Sequence, residues 1–302
     1  MKRIYQICFF YFSLCFVFSC ANNKDNYELK RQREYNAFAY GIFTGTEPIV
    51  WNSKESNEMI HRTKYKKPFF ALAPHFAGQV YPITCGPATA RIVLSAIYAR
   101  TNTPFPLDKE NSIYKDRSGA DIGIFKMSER NVFGVYNGDD EELDYDIIIR
   151  KKKHTYGEYK GKYDGGIWPN KLAEIINMHK PAKATYFEVK PTSADKGSVD
   201  NFRKLVKQIM LSDNKYLICH FHIAAVIPYT SGHFSPIVAY DEITDRVLIM
   251  DVASHNATWS WIKVEELYRA MNTALRGSKS GYIVVEEVIE KDKTNNDNKI
   301  KK

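Results

Sequence analysis

The stretch SGHFSPIVAYDEITDRVLIMDVA, residues 231–253, consists of two apolar runs joined by the polar turn DEITD. Both runs are rich in β-branched and aromatic residues and are bounded by turn-forming residues, a pattern typical of consecutive antiparallel strands. A similar run, KYLICHFHIAAVI (215–227), precedes them, and GYIVVEEV (281–288) follows. We therefore predict that antiparallel strands form most of the C-terminal half.

Helices are predicted around these strands from the spacing of apolar side chains. They are expected to begin at Asn52, with Glu55 as its capping-box partner, and at Cys85, and to cover 170–179, 200–211 and 261–273, with a further strand over 183–189. A helical first half followed by a β-rich second half predicts an α+β fold in two lobes with a cleft between them.

Cys85 occupies the first position of the apolar segment CGPATARIVLSAI. Pro87 suits a first helical turn, because its missing N–H would have no partner there. Cys85 is therefore expected at a helix N-terminus, where orphan N–H groups and the helix dipole stabilise a thiolate. Gly86 allows another chain segment or a substrate to approach closely. Taken alone, however, a single cysteine is better explained as a small buried residue.

A thiolate nucleophile requires an acid/base, usually a histidine, and a third group that orients the imidazole. His233 lies 10 residues before the centre of the predicted hairpin turn and Asp251 lies 8 residues after it. The two side chains are therefore expected nearly opposite each other. An aspartate that ends so apolar a run needs a polar partner, and His233 is the natural one. The alternative is a turn or capping aspartate and a surface histidine.

Gln79 lies six residues before Cys85. A glutamine amide and the backbone N–H of Cys85 are suitable donors to the oxyanion that develops during acyl transfer. The order Gln79, Cys85, His233, Asp251 is the order used by papain-like enzymes.

With these residues in place, the chain resembles the phytochelatin synthase family, papain-like γ-glutamylcysteine dipeptidyl transferases. The similar blocks are FFALAPHFAGQ (69–79), TCGPATARIVLSAI (84–97), residues 231–253, VEELYRAMNT (264–273) and GYIVV (281–285). The family spacings of six residues from Gln to Cys and 18 from His to Asp are both met. The resemblance covers about residues 48–288 and is weaker over 101–200. It implies a papain-like cysteine protease fold, with a helical lobe carrying the nucleophile and an antiparallel β-sheet lobe carrying His and Asp.

By this likeness Cys85 is the nucleophile, His233 the acid/base, Asp251 the orienting carboxylate and Gln79 the oxyanion donor. The implied reaction cleaves the Cys–Gly bond of glutathione through a thioester on Cys85. Water then gives γ-glutamylcysteine, and a second glutathione gives a phytochelatin. No prosthetic group is implied. A heavy metal ion, cadmium or zinc, enters as the metal–glutathione thiolate substrate or as an activator.

Some features depart from the family pattern. Ser254 stands where the family has an arginine after DVA, and a serine cannot replace a guanidinium in bidentate contact with a carboxylate. The insertion over residues 136–166 can also remodel the rim of the cleft. Gly86, Gly232 and Ser254 are the expected substrate contacts. Because no cysteine follows Cys219, the chain resembles the short, bacterial form of the family, which is more hydrolase than polymerising enzyme.

The N-terminus begins MKR and continues with an uncharged run of 16 residues, 4–19, which is short for a membrane span. The run ends in VFSC, which resembles a bacterial lipoprotein cleavage box. Lipidation at Cys20 and export to the periplasmic face of a membrane are therefore expected, with the outer membrane preferred because Ala21 carries no retention cue. The alternatives are an uncleaved signal anchor and an ordinary signal peptide.

The expected organisation follows from these segments. It is a lipoprotein signal peptide over residues 1–20, a tether over 21–47, a phytochelatin synthase-like catalytic domain over 48–290 and a disordered tail over 291–302. Expected partners are glutathione, γ-glutamylcysteinyl peptides, a membrane through the N-terminal lipid, and a second copy of the chain in a homodimer. The net charge of +8 comes largely from scattered lysines. Neither a recognition helix nor an aromatic-basic platform indicates nucleic acid binding.

His220 and His222 share one face of the strand predicted in ICHFH. They are candidate ligands for zinc or a soft metal. Because the sequence offers no third ligand, a sheet strand beside the cleft is the preferred explanation.

Two other functions remain open from the sequence. One is a papain-like peptidase or transferase that acts on another exported peptide substrate. The other is a non-catalytic lipoprotein that binds metal–thiolate complexes.

Overall fold

The structure is a computed structural model. The described residues are 28–37, 41–42, 44–104, 106, 113–115, 117–118, 121–125, 127–135, 137–139, 143, 145, 152–153, 163–164, 166–190, 196–229, 231–253, 258–273 and 280–288. The predicted signal peptide, the lipidation site Cys20, the predicted tail and Ser254 lie outside them. Among these residues, no helix combines the length and apolarity needed to cross a membrane.

The described strands form one large sheet and two short pairs. In chain order they are β1 (Ile49–Val50), β2 (Ile113–Lys115), β3 (Asp121–Phe125), β4 (Lys152–Lys153), β5 (Tyr163–Asp164), β6 (Ala182–Glu188), β7 (Lys215–His222), β8 (Gly232–Asp241), β9 (Arg246–Ile249), β10 (Ser260–Lys263) and β11 (Gly281–Glu287). The large sheet has seven strands in the order β1-β10-β9-β8-β7-β11-β6, and every pairing in it is antiparallel. The short pairs are β2 with β3 and β4 with β5.

The described helices lie against this sheet or beside it. They are α1 (residues 28–37), α2 (Lys54–Arg62), α3 (Lys67–Leu72), α4 (Cys85–Thr101), α5 (Glu129–Phe133), α6 (Pro169–Asn177), α7 (Lys196–Met210) and α8 (Val264–Asn272). The α+β class predicted from the sequence is therefore confirmed.

Two apolar cores lie on opposite faces of the sheet. Alternation along β7 shows the division, because Ile218 joins the core of α4, α5 and α6, whereas Leu217 joins the core of α7 and α8. Helix α4 is apolar around nearly its whole circumference, as expected of a helix enclosed by other elements. This enclosure fixes the position of its N-terminus, where Cys85 lies.

Most predicted elements are present, with shifts at their ends. The helix expected to be capped by Asn52 is capped by Ser53, whose side chain accepts from the N–H of Ser56. The helix expected from residue 261 begins at Val264, because residues 260–263 form β10 and pair with β9. In both cases a local helical pattern was correct but its boundary was set by a neighbouring contact.

Residues 28–47 differ from the predicted tether. Helix α1 is formed there, and Ala37 and Ile42 are buried in the α7/α8 core. The hydroxyl of Thr44 also donates to Glu266 Oε1 over 2.9 Å. Because only a few apolar side chains make these contacts, the polar sequence shows no periodicity. The folded region therefore begins upstream of the predicted domain boundary.

Candidate active site

Cys85 is the first residue of α4, as predicted. Its N-cap, Thr84, makes no side-chain cap with the helix, because its hydroxyl exchanges hydrogen bonds with the backbone of Tyr81. The first intrahelical bond runs from the N–H of Ala88 to the carbonyl of Thr84 over 2.9 Å. The N–H groups before Ala88 therefore point out of the helix beside the thiol, where they favour its thiolate.

His233 and Asp251 meet behind this thiol. The imidazole Nε2 of His233 lies 2.9 Å from Asp251 Oδ1, both side chains are buried, and the Cys85 side chain is close enough to raise the pKa of the same imidazole. Since Nε2 faces the carboxylate, the nitrogen left for Cys85 is Nδ1. The predicted contact between His233 and Asp251 is thus present, and Cys85 lies near the same imidazole.

The register of β8 and β9 brings these two side chains to one face of the sheet. Near the turn Ala239 pairs with Leu248, but after a one-residue shift Ile237 pairs with Ile249. Continuing from Ile237 places Asp251 opposite Ser235, on the face that also carries His233. Without the shift Asp251 would lie opposite Pro236, and its side chain would point to the other face.

Two further groups fix the proton of the imidazole. Ser235 Oγ lies 3.2 Å from His233 Nε2 and donates its own proton to the carbonyl of Phe234 over 2.7 Å, so it is an acceptor for Nε2. The N–H of Ala253 donates to Asp251 Oδ1 over 2.7 Å. Nε2 therefore carries a proton between two acceptors. Sequence reasoning missed Ser235 and Ala253, although their i+2 spacing from His233 and Asp251 is the available signal.

The charge state of His233 reflects opposing effects. Burial lowers its pKa, but the Asp251 carboxylate and, after it, the Cys85 side chain outweigh burial and raise the pKa to about 10. At neutral pH the imidazole is consequently protonated beside the sulfur. A cation is thereby placed beside the sulfur, which is the arrangement that favours a nucleophilic cysteine.

Gln79 is hydrogen-bonded both to the residue after Asp251 and to the segment before Cys85. Its backbone N–H donates to the carbonyl of Val252, next to Asp251, over 2.8 Å. Its side-chain Nε2 donates to the carbonyl of Tyr81 over 2.9 Å, and Tyr81 is also bonded to Thr84. An amide nitrogen has two protons, so this bond orients the amide and leaves one N–H for a ligand.

The expected substrate contacts have different surroundings. A Cβ built on Gly86 would lie 2.6 Å from Ile167 Cγ2, so the close approach predicted at Gly86 is made by the protein itself rather than by open space for a substrate. Gly232 begins β8 and pairs with His222. The prediction for Ser254 lies outside the described residues.

Thr89 links α4 to β8 and was not predicted from the sequence. It lies one turn after Cys85 and is buried, and its hydroxyl donates to the carbonyl of Phe234 over 3.2 Å. The bond joins the nucleophile helix to the residue that follows His233. A threonine in an otherwise apolar helix is the signal that was available.

The candidate metal ligands have partners of their own. His220 Nδ1 lies 3.1 Å from Ser280 Oγ, and His222 Nδ1 accepts from the N–H of Ala224 over 3.1 Å. Burial lowers the pKa of His220 to about 3, with a smaller effect of His233, and lowers that of His222 to about 4. Within the described part of the chain, no group of three His, Cys, Asp or Glu side chains is arranged to hold a metal ion.

We expect iodoacetamide to alkylate Cys85 and to leave Cys219 unmodified in the native protein. Both thiols are free, but Cys219 is buried and burial raises its pKa, whereas Cys85 is half-buried beside a protonated imidazole. Peptide mass mapping measures the outcome, and the protein unfolded in guanidinium, which labels both, is the control. Equal labelling of the two native thiols would contradict the assignment of Cys85 as the activated one.

Comparison with known proteins is consistent with this geometry. The family model described as phytochelatin synthase matches residues 166–282. Glutathione gamma-glutamylcysteinyltransferase 3 of Lotus japonicus is 30% identical over 109 residues, which cover 35% of this chain and 23% of that protein. Glutathione gamma-glutamylcysteinyltransferase 1 of the same plant is 36% identical over 85 residues, 28% of this chain and 17% of that protein. The Schizosaccharomyces pombe glutathione gamma-glutamylcysteinyltransferase is 30% identical over 91 residues, 30% of this chain and 22% of that protein.

The matched region covers only part of the candidate site. The chain spans about a fifth of the length of these curated relatives. The family match contains His233 and Asp251 but neither Gln79 nor Cys85. The proximity of Cys85 to His233 is therefore independent of that match, and it relates the matched region to the helix outside it.

Proposed function

Because residues 166–282 relate this chain to the phytochelatin synthase family, we propose that it is a glutathione γ-glutamylcysteinyltransferase and hydrolase with a papain-like arrangement of catalytic groups. The observation that carries the proposal is the grouping of Cys85, His233 and Asp251, in which the carboxylate bonds to the imidazole and the cysteine lies close enough to raise its pKa. The names of the related proteins support glutathione as the acyl donor.

The first half-reaction follows from the site geometry. The Cys85 thiolate attacks the carbonyl carbon of the Cys–Gly bond, and the negative charge moves to the carbonyl oxygen. The backbone N–H of Cys85 and the second amide N–H of Gln79 stabilise this oxyanion. The proton on His233 Nδ1 passes to the glycine nitrogen as the C–N bond breaks. Glycine leaves, and γ-glutamylcysteine remains bound to Cys85 as a thioester.

The second half-reaction reuses the same groups. His233 accepts a proton from the incoming nucleophile, which attacks the thioester carbon, and the Cys85 thiolate leaves. Water as nucleophile gives γ-glutamylcysteine. The amino group of a second glutathione gives a peptide bond and hence a phytochelatin. A metal ion, in this proposal, belongs to the substrate as a thiolate complex and takes no part in bond cleavage.

Mass spectrometry of the products from glutathione, with and without cadmium, tests the proposal on the full chain. Without cadmium we expect glycine and γ-glutamylcysteine to be released in equal amounts. With cadmium, longer γ-glutamylcysteinyl peptides should form and glycine should exceed γ-glutamylcysteine. A Cys219→Ala variant is the matched control and should retain the activity, because this thiol is buried and is not among the groups that act on the His233 imidazole. Absence of glycine release from glutathione and from other γ-glutamylcysteinyl peptides would contradict the proposal.

A further inference from the structure

The loop that carries Gln79, residues 77–81, is not held in place by its own apolar side chains. Val80 and Tyr81 are 62% and 48% exposed, respectively. A loop with such exposed apolar residues gains little from burial, so other interactions must fix its backbone. Two buried charged side chains provide them, one on each side of Gln79.

The first is Arg91, which lies in the middle of the apolar helix α4 and is only 6% exposed. Its Nη2 donates to the carbonyls of Ala77 and Gly78, over 2.6 and 3.3 Å. Burial lowers the pKa of Arg91, against smaller opposing effects of Glu129 and Tyr145. Burying a guanidinium in a core is costly unless it makes specific bonds. Here those bonds go to the two residues before Gln79.

The second is Glu129, the first residue of α5, which is 2% exposed. Its Oε1 accepts from the N–H of Val80 over 2.9 Å, and its Oε2 accepts from the hydroxyl of Tyr145 over 3.0 Å. Tyr145 belongs to the insertion 136–166, so that insertion supports the loop through Glu129. The residue directly after Gln79 is thereby bonded to a buried carboxylate.

We propose that Arg91 and Glu129 are positioning residues that act on the reaction through Gln79. Their bonds hold the backbone before and after Gln79. The bond from the Gln79 N–H to the carbonyl of Val252 holds Gln79 itself. The amide is then pre-set for the oxyanion, and no ordering of the loop is required during the reaction. The inference rests on the proposed function and adds residues that touch neither substrate nor reacting atoms.

The test combines Arg91→Met, Arg91→Lys and Glu129→Gln with Gln79→Ala in the full chain. Arg100→Met is the matched control, since Arg100 lies at the other end of α4 and pairs with Glu287 over 3.0 Å. Far-ultraviolet circular dichroism identifies variants that keep the fold. Hydrogen exchange of residues 77–81 is measured by mass spectrometry, and glycine release from glutathione gives kcat and KM.

We expect Arg91→Met to raise hydrogen exchange in residues 77–81 and to lower kcat by about 10–100-fold, since small displacements of a catalytic group have effects of this size. KM should change little, and Arg91→Lys should restore part of the loss. In the Gln79→Ala background the same substitution should cost no more than about 2-fold, because its effect passes through the missing amide. Glu129→Gln should act in the same direction and Arg100→Met should not.

The outcomes separate this inference from the proposed function. An unchanged exchange rate in residues 77–81 overturns the inference whatever the activity. A full additional loss of kcat in the Gln79→Ala background also overturns it, while the proposed function stands. If the unmodified chain releases no glycine, the proposed function fails, and the exchange measurement still decides whether Arg91 and Glu129 fix the loop. Should Arg91→Met fail to fold, Arg91→Lys and Glu129→Gln supply the same comparison.

Discussion

Replacing Cys85 with alanine is expected to reduce glycine release from glutathione by about 10⁴-fold or more. Loss of the nucleophile removes the thioester route altogether, and what remains is the background attack of water. The fold should persist, because Cys85 is half-buried and packs only against the edge of the apolar core, where alanine is a small apolar replacement. Glycine release measured over a range of glutathione concentrations gives the comparison.

Cys85→Ser is the informative companion of this variant. A serine keeps the volume and a hydrogen bond to His233, but its hydroxyl has a far higher pKa than a thiol and stays neutral beside the imidazole. We therefore expect Cys85→Ser to be nearly as inactive as Cys85→Ala. Activity of Cys85→Ala equal to that of the unmodified protein would show that no thioester on Cys85 is required. Cys219→Ala, in contrast, should leave the rate within about 2-fold, since this buried thiol has no role in the proposed reaction and alanine is a small apolar replacement.

Asp251→Asn is expected to lower kcat by about 10³–10⁴-fold while KM changes little. The carboxylate accepts the Nε2 proton of His233 and so directs Nδ1 to Cys85. An asparagine can present its N–H instead of its oxygen and favour the other tautomer, which leaves no acceptor for the thiol proton. Glycine release over a range of glutathione concentrations gives kcat and KM. A merely destabilised fold would also lower the apparent kcat at constant KM, but it would not move the pH profile.

The pH dependence gives the second readout of the same variant. The pKa of His233 is raised from 6.5 to about 10 against the effect of burial, chiefly by Asp251. In Asp251→Asn burial dominates, so the pKa should fall and the alkaline limb of glycine release should move to lower pH. An unmoved alkaline limb would contradict the role given to Asp251.

The free energy of unfolding should also depend on the protonation of His233. Because the folded pKa of His233 lies above its unfolded value, its charged form stabilises the fold fully below about pH 6.5. That contribution is lost as the pH rises through about 10. The free energy of unfolding of the unmodified protein should therefore decline more steeply between pH 7 and 10 than that of Asp251→Asn. Urea unfolding at several pH values provides the measurement.

Much of the fold is predictable because the signals are local. The strands β7, β8 and β9 and the last strand are visible as apolar runs between turn residues, and α4, α6 and α7 as apolar periodicity. Errors occur where a distant partner decides. Residues 260–263 are helical in pattern but pair with β9, and α1 packs against the α7/α8 core through Ala37.

The sequence by itself determined which chemistry is available. Cys85 at the start of an apolar helix, Gln79 six residues earlier, and His233 and Asp251 around one hairpin turn define a thiol, its base and an orienting carboxylate. These residue types, their order and the spacings between them can be read directly from the sequence. The Gly-Pro that follows Cys85 places the helix start in the same way.

Only the tertiary structure decided how these groups meet. The one-residue register shift between Ile237 and Ala239 decides which side chains of β9 and of the residues after it point to each face of the sheet. It thereby puts Asp251 on the face that carries His233. Arg91 reaches the loop of Gln79 from the following helix, α4, and Glu129 reaches it from α5, further along the chain. The physical reason is that side-chain direction and buried polar contacts depend on the register and packing of distant segments, which no local pattern of residues specifies.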